Sequence, residues 1–255
     1  MIRGVILDLD GTVYLGQAEV PGASAFVARC HAAGIRCLFV TNRANRTPAE
    51  VAEQLRGYGM PCGPADVLTS AQATARVLPP GRAFCIGEAA LLQALTEAGF
   101  TICEERPDYV IVGLDRNFTY EKLARACSLI GAGARFVATN PDRALKLATG
   151  VMPGTGAIVA AVEAGSGQAP LVIGKPGRLI MDMALAMLGT RPEETLAVGD
   201  NLVTDIPAGA TAGMPTALIL TGVSRREDLA AASVAPTWVV EGFEELWQII
   251  SPTSN

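Results

Sequence analysis

Short apolar runs alternate along the chain with stretches in which apolar residues return every three or four positions. The first pattern is that of a strand buried on both faces, and the second that of a helix with one apolar side. Strands are predicted near Val5–Leu9, Cys37–Val40, Ala83–Ile86, Tyr109–Gly113 and Phe136–Ala138. Further strands are predicted near Leu171–Ile173, Thr195–Gly199, Thr216–Leu220 and Trp238–Val240. Between them, helices are expected at Ala23–Ala33, Pro48–Tyr58, Leu91–Ala98, Glu121–Ile130, Gly156–Ala164, Leu179–Leu188 and Phe243–Ile250. Thr47-Pro48-Ala49-Glu50 reads as a capping box with proline at the first helical position. Gly34 and Gly213 stand where a helix should stop. Strands alternating with helices predict an α/β fold whose parallel sheet is covered by helices.

Two stretches, Leu78-Pro79-Pro80-Gly81 and Gly174-Lys175-Pro176-Gly177, break this rhythm. The segment between them has strands and helices of its own and is expected either to form a separate α/β unit or to continue a single sheet. Composition does not choose between the two. Residues Ser251–Asn255 read as a loose tail.

The chain has 255 residues, 50% hydrophobic and 18% charged, which is ample for a buried core and excludes a disordered chain. A net charge of −5 gives no global field to attract a nucleic acid polymer or an anionic membrane. An anionic ligand would therefore need local cations or a metal. The first strand begins almost at Met1, leaving no room for a signal peptide, and no apolar run approaches bilayer length. A cytoplasmic location is expected. The six cysteines form no C-x-x-C pair, and reduced, mostly buried thiols are expected. His31 is the single histidine and sits in a helical stretch, so sites built on several histidines are excluded.

Candidate chemistry gathers at strand ends. Val5 to Tyr14 reads V-I-L-D-L-D-G-T-V-Y, and strand alternation points Asp8 and Asp10 the same way before Gly11 turns the backbone. Ordinary turn chemistry accounts for such a segment taken alone. However, Thr41-Asn42, Lys175, and Asp200 with Asp205 also follow predicted strands. In an open parallel sheet, ligands collect outside the carboxyl ends of the strands. Four converging aspartates would repel one another unless a cation neutralised them, and hard oxygen ligands indicate magnesium. A metal, a lysine, a threonine hydroxyl and an activated carboxylate together suit phosphoryl transfer.

In this order, D-L-D-G-T, V-T-N, G-K-P and G-D-N-L-V-T-D resemble the four motifs of the haloacid dehalogenase (HAD) superfamily. T-N-R-A-N-R-T-P from Thr41 and V-G-L-D-R-N-F-T-Y-E-K-L at Val112–Leu123 resemble its NagD-like, para-nitrophenyl phosphatase-type branch, subclass IIA. So do A-T-N-P-D at Ala138–Asp142 and M-P-G-T-G-A at Met152–Ala157. The resemblance implies a Rossmann-like core from residues 1–79 and 174–255, with a smaller inserted α/β cap at 80–173. It implies Asp8 as nucleophile, Asp10 as general acid and base, and Lys175 as a bridge between nucleophile and phosphoryl group. Thr41 and Asn42 would hold phosphoryl oxygens. Asp8, the backbone carbonyl of Asp10, and Asp200 would bind Mg2+, with Gly11, Asn201 and Asp205 in support.

Arg43, often neutral in relatives, would either contact the substrate or lie exposed or against the cap, the latter being preferred. Asp142 belongs to a region that the resemblance turns toward the substrate, although as a plain turn it needs no function. Asp115 and Arg116 carry the same two readings. Gly154-Thr155-Gly156 reads as a helix start and not a dinucleotide fingerprint, because Val159 takes the third glycine's place.

The function implied is a magnesium-dependent phosphatase that hydrolyses small phosphomonoesters through an aspartyl-phosphate. Its partner would be a small phosphorylated metabolite, and the chain a monomer or homodimer. A phosphomutase and a non-catalytic phosphate-ester sensor are the alternatives. Asp10 weighs against carbon–halogen hydrolysis, since a halide leaves without a proton.

Overall fold

The computed structural model describes residues 1–147 and 150–251, so the expected tail from position 252 onward lies outside the described residues. The chain begins with β1 (Gly4–Leu7), β2 (Tyr14–Leu15), β3 (Ala18–Glu19), α1 (Ala23–Ala32), β4 (Arg36–Thr41) and α2 (Pro48–Gly57). Next come β5 (Val67–Thr69), α3 (Ser70–Val77), β6 (Arg82–Ile86), α4 (Ala89–Glu97), β7 (Thr101–Ile102), β8 (Tyr109–Val112) and α5 (Tyr120–Gly131). They are followed by β9 (Arg135–Ala138), β10 (Ala144–Leu147), β11 (Gly150–Pro153), α6 (Thr155–Ser166), β12 (Leu171–Val172) and α7 (Arg178–Leu188). The final elements are β13 (Thr195–Gly199), α8 (Asp205–Thr211), β14 (Thr216–Ile219), β15 (Trp238–Val240) and α9 (Phe243–Ile250).

The chain divides into two compact units, each with its own main sheet. Met1–Thr41, Pro48–Leu68 and the chain from Lys175 onward make up the first, and Asn42–Thr47 with Thr69–Gly174 the second. A single continuous sheet is thereby excluded. The long stretch of the second unit starts at Thr69, ahead of the boundary expected at residue 80, because α3 packs on α4. Thr69 starts α3 by accepting from the Gln72 amide, while the Gln72 side chain accepts from the Thr69 amide.

In the first unit the strand order is β15-β14-β13-β1-β4-β5. β1 lies parallel between β13 and β4, while β14 and β15 extend the parallel run. β1, β13 and β14 are buried at every position, which explains why they read as unbroken apolar runs. Val5, Leu7 and Phe39 pack into one core with Phe26 of α1, Leu55 of α2 and Leu246 of α9. Phe26 meets the Phe243 ring at 5.2 Å. Gly34 and Gly213 follow α1 and α8 with φ of 72° and 81°, a left-handed geometry that suits glycine at a helix end.

The second unit is built on an all-parallel sheet of order β12-β9-β8-β6-β7. Phe84, Val110 and Phe136 pack there with Leu129 of α5 and Ile158 and Val162 of α6. A separate antiparallel pair, β10–β11, precedes α6. Among the described residues no helix is long and apolar enough to cross a membrane. All six cysteines are free, and burial pushes the Cys62 and Cys85 thiols up to about 12, where they stay protonated and unreactive.

Phe39 is 1% exposed in a central strand. Phe39→Ala is expected to cost about 3–5 kcal/mol in urea unfolding. Tyr120→Ala, at a side chain 78% exposed, should shift stability by less than about 0.5 kcal/mol in the same assay.

Candidate active site

The central position of β1 determines where the carboxylates fall. Beyond the strand, the Asp8 amide still donates to the Val198 carbonyl at 2.9 Å, so the ladder holds Asp8 in place. β13 runs alongside in parallel and ends at Gly199, which places Asp200 next to it. β4 ends at Thr41, buried on the other side. This is where the strand order reverses, since the chain leaves β1 toward β4 on one side and returns through β13 on the other.

Lys175 supplies the cation. It is 2% exposed, and its Nζ lies 2.5 Å from Asp8 Oδ1 and 2.7 Å from Asp205 Oδ1. It also donates to the Val40 carbonyl at 3.3 Å. Lys175 thus donates to Asp8 and to a main-chain carbonyl and pairs by charge with Asp205. The Lys175–Pro176 peptide is cis.

Asp8, Asp200 and Asp205 each bring a carboxylate oxygen within 4.8 Å of the others. Were all three carboxylates ionised, one ammonium would leave two negative charges in a buried place. Burial pushes Asp8 well above the usual carboxylate range; Lys175 draws it down, while Asp205 and Asp200 raise it. Burial, and then the charge of Asp205, push Asp200 up to about 7, against the opposing pull of the Val223 amide and Lys175. Burial alone would lower Lys175, but Asp205 and Asp8 outweigh it and hold the ammonium charged.

A loop unforeseen from the sequence completes the cradle. After β14, the Val223 amide donates to Asp200 Oδ2 at 2.5 Å and the Ser224 amide to the Asp200 carbonyl at 3.0 Å. Thr221 Oγ1 donates to the Gly11 carbonyl at 2.6 Å. A Cβ on Gly11, whose φ is 90°, or on Gly222 would run into the Asp200 carboxylate. Tyr14 donates to Asp10 Oδ2 at 3.2 Å, and Thr12 Oγ1 lies at the outer limit of bonding from Asp8 Oδ2, at 3.5 Å. The signal was present as Thr221-Gly222 at the end of an apolar run, the same hydroxyl-and-glycine signature as Gly11-Thr12.

The remaining candidates fall as follows. Asp205 Oδ2 accepts from the Asn201 amide at 3.1 Å, and Asn201 Oδ1 accepts from the Val203 amide at 2.8 Å, which ties the turn after β13. Asn42, Arg43 and Asp142 belong to the second unit. There Asn42 Nδ2 donates to both carboxylate oxygens of Asp142, at 3.2 and 3.1 Å. Arg43 is half-buried. Asp115 is buried and pairs with Lys122 at 2.6 Å, while Arg116 pairs with Glu88 through two guanidinium nitrogens. The Gly154–Gly156 segment opens α6, as a helix start should.

The donor set fits a hard divalent cation. Among the described residues the cluster offers only carboxylate oxygens, with three acids to a single ammonium.

Comparison with known proteins agrees. Residues 5–101 match the haloacid dehalogenase-like hydrolase family, and residues 172–246 match a second HAD-hydrolase-like family. The chain is 40% identical to the 5'-nucleotidase YutF of Bacillus subtilis, across 95% of this chain and 96% of that one. The chain belongs to the haloacid dehalogenase-like hydrolase family. Within it the chain is NagD-like: NagD from E. coli K-12 superposes with a TM-score of 0.90 at 36% identity, over 96% of this chain and 98% of that one. Another HAD relative, a glycerol phosphate phosphatase from Mycobacterium tuberculosis in complex with magnesium, superposes with a TM-score of 0.89 at 36% identity. It covers 96% of this chain and 76% of that one. The fold is accordingly a Rossmann-like HAD core with an inserted α/β cap.

Asp200 gives the cluster a definite dependence on pH. Its carboxyl is raised from 3.8 to about 7 on folding, so the folded state retains a proton that the unfolded chain releases first. Stability from this group is full below about pH 4 and is lost as pH rises through about 7, on the order of a few kcal/mol. In a chelator, melting temperature should therefore fall across this window. The decline should be shallower in Asp200→Asn, and a divalent cation should restore the wild type but not the variant. Thermal unfolding scans with and without chelator check this.

Proposed function

We propose that this protein is a magnesium-dependent phosphatase of small phosphomonoesters that works through an aspartyl-phosphate on Asp8. The observation that carries the reading is the buried Lys175 ammonium, 2.5 Å from Asp8 Oδ1 and beside Asp200 and Asp205. It sets a positive charge against the carboxylate proposed to attack, opposing the burial that raises Asp8.

Asp8 attacks phosphorus, and the bond from phosphorus to the ester oxygen breaks. Asp10, as the acid, gives its proton to the departing alkoxide. It then takes a proton from water, which attacks the aspartyl-phosphate and releases inorganic phosphate and free Asp8. The Tyr14 hydroxyl, 3.2 Å from Asp10 Oδ2, orients that carboxyl for both transfers. Thr41, Asn42 and Lys175 hold phosphoryl oxygens, so most of the catalysis is positioning and charge neutralisation. Asp8, Asp200 and the carbonyl of Asp10 would hold the magnesium, which when bound offsets negative charge on the phosphoryl group and the carboxylates. The relatives named a 5'-nucleotidase and a glycerol phosphate phosphatase support small metabolite esters as the substrate class.

Phosphate release from glycerol phosphate and from a nucleoside monophosphate should require magnesium and stop in chelator. Asp8→Asn should lower kcat by at least about a thousandfold while melting cooperatively; turnover near wild type would remove Asp8 as nucleophile. Asp10→Asn should separate the two proton transfers. With p-nitrophenyl phosphate, whose phenolate leaves without a proton, it should give a burst of about one product per enzyme followed by slow turnover. Stopped-flow absorbance checks this, and a linear time course with no burst contradicts the second role of Asp10.

A further inference from the structure

Asn140 has no role in the chemistry above, yet it is 3% exposed and every polar atom of its side chain is engaged. Its Nδ2 donates to the Asn42 carbonyl at 2.7 Å, with weaker contacts to Thr139 and Thr155 hydroxyls at 3.4 and 3.3 Å. Its Oδ1 accepts from the Asp142 amide at 3.1 Å. The Asp142 carboxylate in turn accepts from the Asn42 carboxamide. Asn42, Asn140 and Asp142 therefore close a ring of hydrogen bonds in which each holds the next.

A second donor reaches the same carbonyl, for the Ser70 hydroxyl donates to Asn42 O at 2.6 Å from within a buried site. Asn42 is thus gripped at its main chain by Asn140 and Ser70 and at its side chain by Asp142. A Cβ on Gly174 would strike both the Asn42 carboxamide and the Thr139 carbonyl, so the ring is also tightly walled. This is more restraint than a turn needs. Asn42 is the covalent neighbour of Thr41, so clamping it sets the peptide that joins the two residues proposed to hold phosphoryl oxygens.

We propose that Asn140 is a positioning residue that, with Ser70, pre-orients the Thr41-Asn42 peptide to receive a phosphoryl group, and that Asp142 orients Asn42 instead of binding substrate. This inference rests on the phosphatase reading of the same segment. Phosphate affinity, more than the chemical step, should then depend on the ring.

Asn140→Asp keeps the shape and the acceptor for Asp142 but turns the donor facing the Asn42 carbonyl into a carboxylate. Expected are a rise of roughly tenfold in both KM and the inhibition constant of inorganic phosphate, with kcat changed less than about threefold. Because a protonated acid donates again, the ratio of variant to wild-type kcat/KM should recover as pH falls toward 5. A purely structural role would lower melting temperature without this matched, pH-reversible change. A folded Asn140→Asp with wild-type KM and phosphate inhibition overturns the inference. If that variant fails to fold, Ser70→Ala carries the test: a roughly threefold weaker phosphate inhibition supports the ring, and an unchanged constant overturns it. Wild-type protein that releases no phosphate from any ester removes the functional reading and this inference together, whereas an active wild type with unaffected variants removes only the latter.

Discussion

The structure depends on one buried cation. Lys175 sits between Asp8 and Asp205 with almost no contact with water, and neither the ammonium nor the carboxylates would be tolerated there alone. The arrangement explains why the first unit is made of separate stretches of chain. Its acids follow β1 and β13, neighbours in the sheet but nearly 190 residues apart in sequence. The lysine stands at the first residue after the inserted unit. Wherever the insertion travels, the chain returns with that ammonium among the acids.

What the sequence made legible follows from which patterns are local. Parallel strands buried on both faces leave unbroken apolar runs, so β1, β4, β8, β13 and β14 were all anticipated, and the polar residues after β1, β4 and β13 could be read as strand-end chemistry. α3 was missed because Ser70–Val77 is small and weakly apolar, although Thr69 and Gln72 advertise its cap. α8 was hidden by Pro207 and Gly209 within its seven residues. β2, β3, β7 and β12 are two residues long, too short for periodicity to register; β12 alone was found, within the short apolar run Leu171–Ile173. The pairings were least legible. Nothing local links Lys175 to Asp205, Val223 to Asp200, or Asn140 to Asn42, because a hydrogen bond between distant segments leaves no periodic trace.

The two carboxylates with raised affinity for protons are restrained by different means, and the difference has chemical consequences. The Asp200 carboxylate accepts from the Val223 amide, and its main-chain carbonyl from the Ser224 amide, both in the loop after β14. Asp8 is held by the Lys175 side-chain ammonium, and in the proposed reaction that same ammonium would also face the incoming phosphoryl oxygens.

The same contrast bears on the proposed choice of nucleophile. All three clustered acids share the crevice, so proximity alone does not single one out. Asp205 has one oxygen on Lys175 and the other on the Asn201 amide, and its side chain is only 6% exposed. Asp200 is 2% exposed with Oδ2 fixed by Val223. Asp8, with its side chain 12% exposed, is the most accessible of the three, and among the described residues its second oxygen has only the long contact to Thr12. An attacking carboxylate needs a lone pair that no strong donor occupies and an unobstructed line to phosphorus. Of the three, Asp8 comes nearest to the first requirement, which supports the proposed choice.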